Sequence, residues 1–216
     1  DGQEYLRLNL DNSYNSSVKG APELPQLNNL IEIPHGSTPI IEIIYDDFIE
    51  FDLNTIKENL KLFPAQPSAP KNINKDQIEF VIDDSTYLKD ENFNFELVSI
   101  DDKGFLRHIR MGNLLISPIE YNPIKNKLII HKEIKFIVHF KNADFDLTAE
   151  MEKKYKSPYF ESIYNNSVIN HESRLIRNND FINEDVTYLI IANESFNGNL
   201  DDFINWKTQK GFNVIT

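Results

Sequence analysis

The 216-residue sequence contains no cysteine. A disulfide, a thiolate metal site and a thiol nucleophile are therefore all excluded within it. Glycine is also scarce, and because the seven glycines are dispersed, no glycine-rich phosphate-binding loop is present. No serine lies in a Gly-x-Ser-x-Gly motif either. These absences leave the sequence without a catalytic constellation.

Positive charge and long apolar runs are lacking as well. The formal net charge is -12 and no basic stripe offsets it, which argues against binding to nucleic acid or to an anionic membrane surface. No apolar run approaches the roughly 20 residues of a membrane span. The opening "DGQEYLRLNL" is not a signal peptide, and a secreted protein whose signal peptide has been removed is compatible with it.

The sequence offers no metal site with typical spacing. The five histidines lack the close spacing of metal ligands: His35, His108, His131, His139 and His171. We expect His131 and His139 to be cross-strand partners in a sheet. Four acidic pairs are interpreted as turn or cap residues, with Ca²⁺ binding at one of them as the alternative: Asp46-Asp47, Asp83-Asp84, Asp101-Asp102 and Asp201-Asp202. We therefore predict no metal ion and no other cofactor.

Apolar residues between about 5 and 140 recur at period two, which predicts strands. The clearest case is "KLIIHKEIKFIVHF", where apolar residues alternate with lysine, histidine and glutamate. Such alternation is typical of an antiparallel sheet with one buried face. "YNPIKNKL" before it predicts a hairpin turn. Because the strands follow one another without long amphipathic helices, we predict a mainly β domain, an antiparallel β-sandwich or a flattened barrel.

The character of the chain changes after residue 141. Apolar residues at helical spacing predict a helix at 158–171, and the polar stretch 172–186 is interpreted as an exposed linker. "VTYLIIAN" then reads as a buried strand, and "GNLDDFINWKTQKGFNVIT" as a helix leading to another strand. We therefore predict a first domain at 1–171, a linker at 172–186 and the incomplete start of an α/β domain at 187–216.

Two stretches resemble the gingipain-type cysteine peptidases, peptidase family C25. The segment "YLIIANESFNGNLDDFINWKTQKGFNVIT" is similar to the start of their catalytic domain, through the motif Phe-x-x-Trp-Lys-x-Gln-Lys-Gly at 203–211. The segment "DKGFLRHIRMGNLLISPIEYNPIKNKLIIHKEIKFIVHF" resembles their pro-domain, with its Pro-x-x-Tyr-Asn-Pro turn. "GAPELPQL", "DQI" and "YFESIYNNSVIN" also fit, so that the resemblance extends over most of the chain.

This resemblance implies a β-sandwich pro-domain of a secreted or cell-surface bacterial peptidase, followed by a caspase/gingipain-like α/β stub. The family's catalytic histidine and cysteine would lie beyond residue 216, so this chain is expected not to be an enzyme. Its partner would be the catalytic domain of its own precursor. Family pro-domains resemble inhibitors that offer a basic side chain to the specificity pocket, and by this alignment that position falls on Lys71, with Lys75 as the second candidate.

The physical chemistry of the stretch "LFPAQPSAPK" agrees with this role. Its prolines fix φ and lower the entropic cost of docking an extended segment, and the lysine supplies charge to an acidic pocket. The alternative is that this stretch has no binding role and is a solvent-exposed connection.

Arg174 and Arg177 lie in the predicted linker and are the candidate processing sites. The alternative function is a non-enzymatic adhesion or carbohydrate-binding module, motivated by nine tyrosines and fifteen phenylalanines.

Overall fold

A computed structural model describes residues 3–68, 79–171 and 187–216. The chain divides into two compact units, one ending at Ser173 and the other beginning at Arg174. No helix within the described ranges is both long enough and apolar enough to cross a bilayer.

The first unit consists mainly of strands. These are β1 (Tyr5–Leu6), β2 (Ser13–Asn15), β3 (Pro25–Ile33), β4 (Thr38–Asp52), β5 (Lys61–Leu62), β6 (Val98–Leu106), β7 (Ile109–Ile116), β8 (Ile119–Asn122) and β9 (Lys127–Lys141). One antiparallel sheet has the order β2-β3-β7-β6 and a second has the order β4-β9-β8, while β1 and β5 form a short parallel pair. The predicted mainly β class with antiparallel sheets is confirmed.

Among the described residues of this unit, three α-helices accompany the sheets: α1 (Asp84–Tyr87), α2 (Phe145–Tyr155) and α3 (Pro158–Ser167). The helix predicted at 158–171 is present but ends earlier, because the chain turns extended at Val168 and continues beside β3. Helix α2 was not anticipated, since the segment is polar and buries no residue. Its start is fixed by the Asp144 side chain, which accepts a hydrogen bond from the Leu147 amide at 2.8 Å.

The hairpin between β8 and β9 forms as predicted, and its turn has a specific cause. Asn126 adopts a positive φ of 55°, a conformation that asparagine tolerates better than most residues. The Asn122 side chain accepts a hydrogen bond from the Lys125 amide at 2.9 Å. Strand β9 then runs antiparallel to β4 along the length of both strands. Both predicted histidine pairings are confirmed there: His131 contacts Asp46 and His139 contacts Glu42, each at 2.7 Å.

Two apolar clusters form the core of this unit. The first is built from five buried side chains, including those of β5, β8 and β9: Leu24, Leu53, Leu62, Tyr121 and Leu128. The second joins the two large sheets, because Ile33 of β3 and Leu114 of β7 pack with Ile41 of β4 and Phe136 of β9. Strand β5 contributes Leu62 to the first cluster, and the proline-rich segment follows β5 directly in the sequence.

The second unit contains β10 (Thr187–Leu189), a 3₁₀ helix (Glu194–Asn199), α4 (Asp201–Gln209) and β11 (Asn213–Ile215). Strands β10 and β11 pair in parallel around α4, as the sequence predicted. Gly211, with a φ of 88°, provides the turn after α4. The strand was expected to be buried on both faces, but Leu189 and Ile191 are exposed, because within the described residues its sheet contains only two strands.

Candidate functional site: the base of the proline-rich loop

The predicted site residues lie outside the described residues. Lys71 and Lys75 fall in the stretch 69–78, and Arg174 and Arg177 fall in the stretch 172–186. The described structure does show the segments that lead into and out of both stretches.

The segment that enters the stretch 69–78 is fixed by neighbours on both sides. On one side, the Phe63 amide donates to the Leu6 carbonyl at 2.8 Å. On the other side, Ala65 exchanges two backbone hydrogen bonds, donating to Ala21 at 2.8 Å and accepting from Gly20 at 2.7 Å. Pro64 is fully buried and forms a bridge with Pro22. Pro64, the first proline of the segment, is thus a core residue. We call the described residues on either side of the stretch 69–78, namely 63–68 and 79–83, the base of the proline-rich loop.

The segment that returns from the stretch 69–78 is fixed by Gly20. The Asp83 amide donates to the Gly20 carbonyl at 2.8 Å. Gly20 has a φ of 77°, and a Cβ atom there would lie 2.8 Å from the Asp83 nitrogen, so only glycine fits without a backbone shift. Asp83 in turn caps α1, and hydrogen bonds from the Ser85 and Thr86 side chains hold its pKa below the usual value.

A side-chain amide joins the entering and returning segments directly. Gln66 Nε2 donates to the Val81 carbonyl at 2.9 Å, and the Val81 amide donates to Gln66 Oε1 at 2.9 Å. Nε2 also donates to the Pro64 carbonyl at 2.9 Å. We call the pair of bonds between Gln66 and Val81 the Gln66 clasp.

Three aromatic rings surround the base. Tyr5, Phe63 and Phe80 lie with their ring centroids 5.6 to 6.0 Å apart, so that the entering and returning segments also share an apolar contact. The Arg7 guanidinium lies 3.9 Å above the Phe63 ring. It also forms an ion pair with Glu23 at 3.4 Å. The base is therefore held by backbone hydrogen bonds, a side-chain amide, and edge-to-face and tilted ring contacts together.

The chain that leads into the stretch 172–186 is anchored in a similar way. Val168 bridges Leu30 of β3, and the Ile169 amide donates to the Leu30 carbonyl at 2.9 Å. The Asn170 side chain then makes two hydrogen bonds to the backbone of Glu32, at 2.7 and 2.9 Å. We call this pair of bonds the Asn170 clasp. It fixes the chain immediately before the predicted linker.

A buried polar cluster lies beneath α3. The Tyr164 ring is fully buried between His108 and His171, with ring centroids 5.4 and 5.3 Å away. His171 contacts Glu32 at 2.8 Å and Glu161 at 3.7 Å. Burial lowers the pKa of His108, and its Nδ1 has no hydrogen-bond partner within the described ranges. His108 therefore favours the neutral form in the folded protein.

This cluster predicts a loss of stability in mild acid. Because the folded protein holds the pKa of His108 below its value of about 6.5 in the unfolded chain, the unfolded state binds more protons below that pH. The contribution of neutral His108 to the free energy of unfolding is complete above about pH 6.5. It is lost as the pH falls toward the pKa that His108 has in the folded protein. The charged groups that act on His108 are Glu32 of β3, Glu152 of α2, Lys156 directly after α2, and Glu161 of α3.

The measurement is urea unfolding of the wild type and of His108→Gln at pH 7.5 and 5.5. We expect the wild type to lose more stability between the two pH values than the variant does. Other titrating groups are present in both proteins, so the difference isolates His108. Equal losses in both proteins would contradict the assignment.

Other charged residues have structural partners. Arg110 forms an ion pair with Asp102 and donates to the Ser37 carbonyl at 2.7 Å. Arg107 lies in the turn between β6 and β7 with a φ of 56°, and its guanidinium contacts the Tyr155 carbonyl and the Phe160 ring. Asp46 and Asp47 lie in the middle of β4, not at its end as expected. Within the described ranges, no group of three histidine or acidic residues is arranged to hold a metal ion.

Sequence reasoning identified the proline-rich stretch but missed the residues that hold its base. Neither Gly20 nor Gln66 was singled out. The sequence signal for Gly20 was its position two residues before Pro22 in "KGAPELP", since glycine and proline both mark turns. Gln66 gave no signal, because its partner is backbone 15 positions away.

Comparison with known proteins agrees with these observations. Lys-gingipain of Porphyromonas gingivalis is 29% identical over 213 residues, which is 98% of this chain and 12% of that protein. Gingipain R2 of the same organism is 27% identical over 197 residues, which is 91% of this chain and 26% of that protein. The chain therefore spans only a minor part of the length of these curated relatives.

Two solved structures from Porphyromonas gingivalis are similar as well. The first concerns the zymogenic latency of gingipain K, with 28% identity, a TM-score of 0.57, and coverage of 61% of this chain and 72% of that chain. The second is the complex of the RgpB pro- and mature domains, with 25% identity, a TM-score of 0.58, and coverage of 74% and 78%.

The sequence model of the Propeptide_C25 family matches residues 5–178, which include the base of the proline-rich loop, both clasps and both predicted processing arginines. The chain belongs to the Propeptide_C25 family, the propeptides of gingipain-type cysteine peptidases.

Proposed function

We propose that this chain is the inhibitory and folding-assisting pro-domain of a gingipain-like cysteine endopeptidase. Residues 1–171 dock on the catalytic domain of the same precursor, and a basic residue of the proline-rich loop occupies its specificity pocket. The observation that carries the proposal is the base of the loop, where the entering and returning segments are both hydrogen-bonded to the backbone of residues 20–21. A loop with fixed ends costs less entropy to dock than one with free ends.

Lys71 is the residue that we assign to the pocket, with Lys75 as the second candidate. Lysine carries a compact charge on a flexible stem, and an acidic pocket would bind it through charge-assisted hydrogen bonds. The related Lys-gingipain carries lysine preference in its name. We propose the same preference for the peptidase that follows this pro-domain.

Activation requires a cut in the segment 172–186. The Asn170 clasp supports this, because it fixes the chain up to the point where the linker begins. We assign the cut to Arg174 or Arg177, both of which are basic residues in a polar stretch. Residues 187–216 then form the start of the catalytic domain. The N-terminal residue of the activated peptidase identifies the cleaved bond.

The proposal places the precursor outside the cell or on its surface and assigns no catalysis to this chain, which has no cysteine. The acidic net charge of -12 favours a partner with a complementary basic surface and disfavours nucleic acid. A standard interface of about 800 Å² per partner suffices for tight binding.

The test is inhibition of the separately produced catalytic domain by this chain. We expect stoichiometric inhibition with a Kd on the order of nanomolar, weakened by salt and lost after cleavage of the linker and the loop. An unrelated acidic protein of similar charge controls for non-specific binding. Absence of inhibition at micromolar concentration would contradict the proposal and favour the adhesion or carbohydrate-binding alternative.

A further inference from the structure

The Gln66 clasp makes the two hydrogen bonds to the backbone of Val81 that a neighbouring strand would otherwise make. A primary amide presents one acceptor and two donors, and Gln66 uses both kinds toward the same residue, Val81. Its second donor interaction, to the Pro64 carbonyl, fixes the side chain against its own segment. The amide thus takes the place of a neighbouring strand for Val81.

The clasp is also the direct polar link between the two ends of the loop. Within the described residues, no backbone hydrogen bond joins 63–68 to 79–83; both segments reach Gly20 separately. Another direct link is the apolar contact between Phe63 and Phe80. Gln66 and Val81 are separated by 15 positions, so the clasp closes a short segment that contains Lys71 and Lys75. Closing the ends of a segment reduces the conformations available to it.

We propose that Gln66 is a positioning residue of the inhibitor: by clasping Val81 it sets where the loop leaves and rejoins the domain, and thereby the register in which its basic residue meets the peptidase. This inference rests on the proposed function. It assigns to Gln66 no contact with the peptidase, because the amide is engaged within the pro-domain. Its effect is on the fraction of molecules whose loop is arranged for binding.

The experiment compares substitutions that open the clasp with one that opens a matched contact elsewhere. Gln66→Ala removes the amide, and Gln66→Met removes its hydrogen bonds while keeping most of its volume. Asn170→Ala is the matched control, because it removes the two hydrogen bonds of a side-chain amide to one backbone residue, Glu32, just as the Gln66 variants remove the two to Val81. Amide exchange at Val81 verifies that the clasp has opened, and urea unfolding of each variant measures global stability.

We expect both Gln66 variants to raise the inhibition constant about tenfold, equivalent to about 1.4 kcal/mol, and to leave the unfolding midpoint close to that of Asn170→Ala. Asn170→Ala should inhibit like the wild type. Val81 should exchange faster in the Gln66 variants only. Combining Gln66→Ala with Lys71→Ala should add little to Lys71→Ala alone, since a positioning effect disappears when the positioned side chain is removed.

Three results would overturn the inference. If the Gln66 variants inhibit like the wild type while Lys71→Ala is weakened, the pro-domain function stands and the positioning role fails. If the effects of Gln66→Ala and Lys71→Ala add fully, Gln66 does not act through Lys71. If the wild type itself does not inhibit, the proposed function fails and the inference fails with it.

Discussion

Lys71→Ala is expected to weaken inhibition of the catalytic domain at least tenfold on a lysine substrate. The substitution removes a charged group that would be desolvated in the pocket, and charge-assisted hydrogen bonds contribute about 1.5 to 3 kcal/mol each. Because the prolines and the base of the loop are unchanged, the loss comes from the side chain itself. The measurement is the inhibition constant of the variant against the separately produced peptidase domain.

Two further substitutions show which lysine occupies the pocket and whether the pocket prefers lysine to arginine. Lys75→Ala is the matched control, since it removes the same charge four positions away and should retain wild-type inhibition. Lys71→Arg keeps the charge but enlarges and flattens the head group, so a lysine-preferring pocket should bind it less well than lysine. If Lys75→Ala shows the loss instead, the basic residue in the pocket is Lys75. If neither variant is weakened, the pocket is blocked by another part of the domain.

The strands that the sequence predicted best are those whose burial follows a simple period. In β9, alternating apolar and charged residues between Lys127 and Lys141 determine both the strand and its two faces. The hairpin before it is determined by local turn chemistry, which acts within a few residues and is visible in the sequence. The pairing of His131 and His139 with carboxylates of β4 follows from the same alternation.

Two failures have a deciding contact that lies far along the chain, whereas the failure at α2 is local. Residues 79–82, "EFVI", are mostly apolar like a strand, but the backbone of Val81 is hydrogen-bonded to the Gln66 side chain and these four residues form no strand. Helix α2 has too few apolar residues for a periodic signal, and its start is set by the Asp144 cap alone. At the candidate site, the prolines indicated a stiff segment, but the glycine and glutamine that hold its base depend on tertiary contacts alone.

The largest loss of stability is expected from Tyr121→Ala. Tyr121 is fully buried in the first apolar cluster, which also contains residues of β5 and β9, and burial raises its pKa to about 12. Truncating a buried aromatic residue to alanine removes its apolar contacts and leaves a cavity, which costs about 3 to 5 kcal/mol. In a domain of this size, each kcal/mol lowers the melting temperature by about 2 to 4 °C, so we expect a decrease on the order of 10 °C.

Tyr121→Phe separates the ring from its hydroxyl. The hydroxyl donates to Asn126 Oδ1 at 2.9 Å, and Asn126 donates in turn to Asn54 at 2.9 Å. Removing it leaves a buried acceptor without its partner, which costs about 1 to 3 kcal/mol, so Tyr121→Phe should fall between the wild type and Tyr121→Ala. Thermal unfolding followed by far-ultraviolet circular dichroism measures the stability of both variants.

Tyr121→Ala should also weaken inhibition near its melting range, because Leu62 of the same cluster lies two positions before Pro64. Lys71→Ala, in contrast, should weaken inhibition without lowering the melting temperature. A small loss of stability in Tyr121→Ala, or equal losses of stability in Tyr121→Ala and Tyr121→Phe, would show that the ring does not support this core.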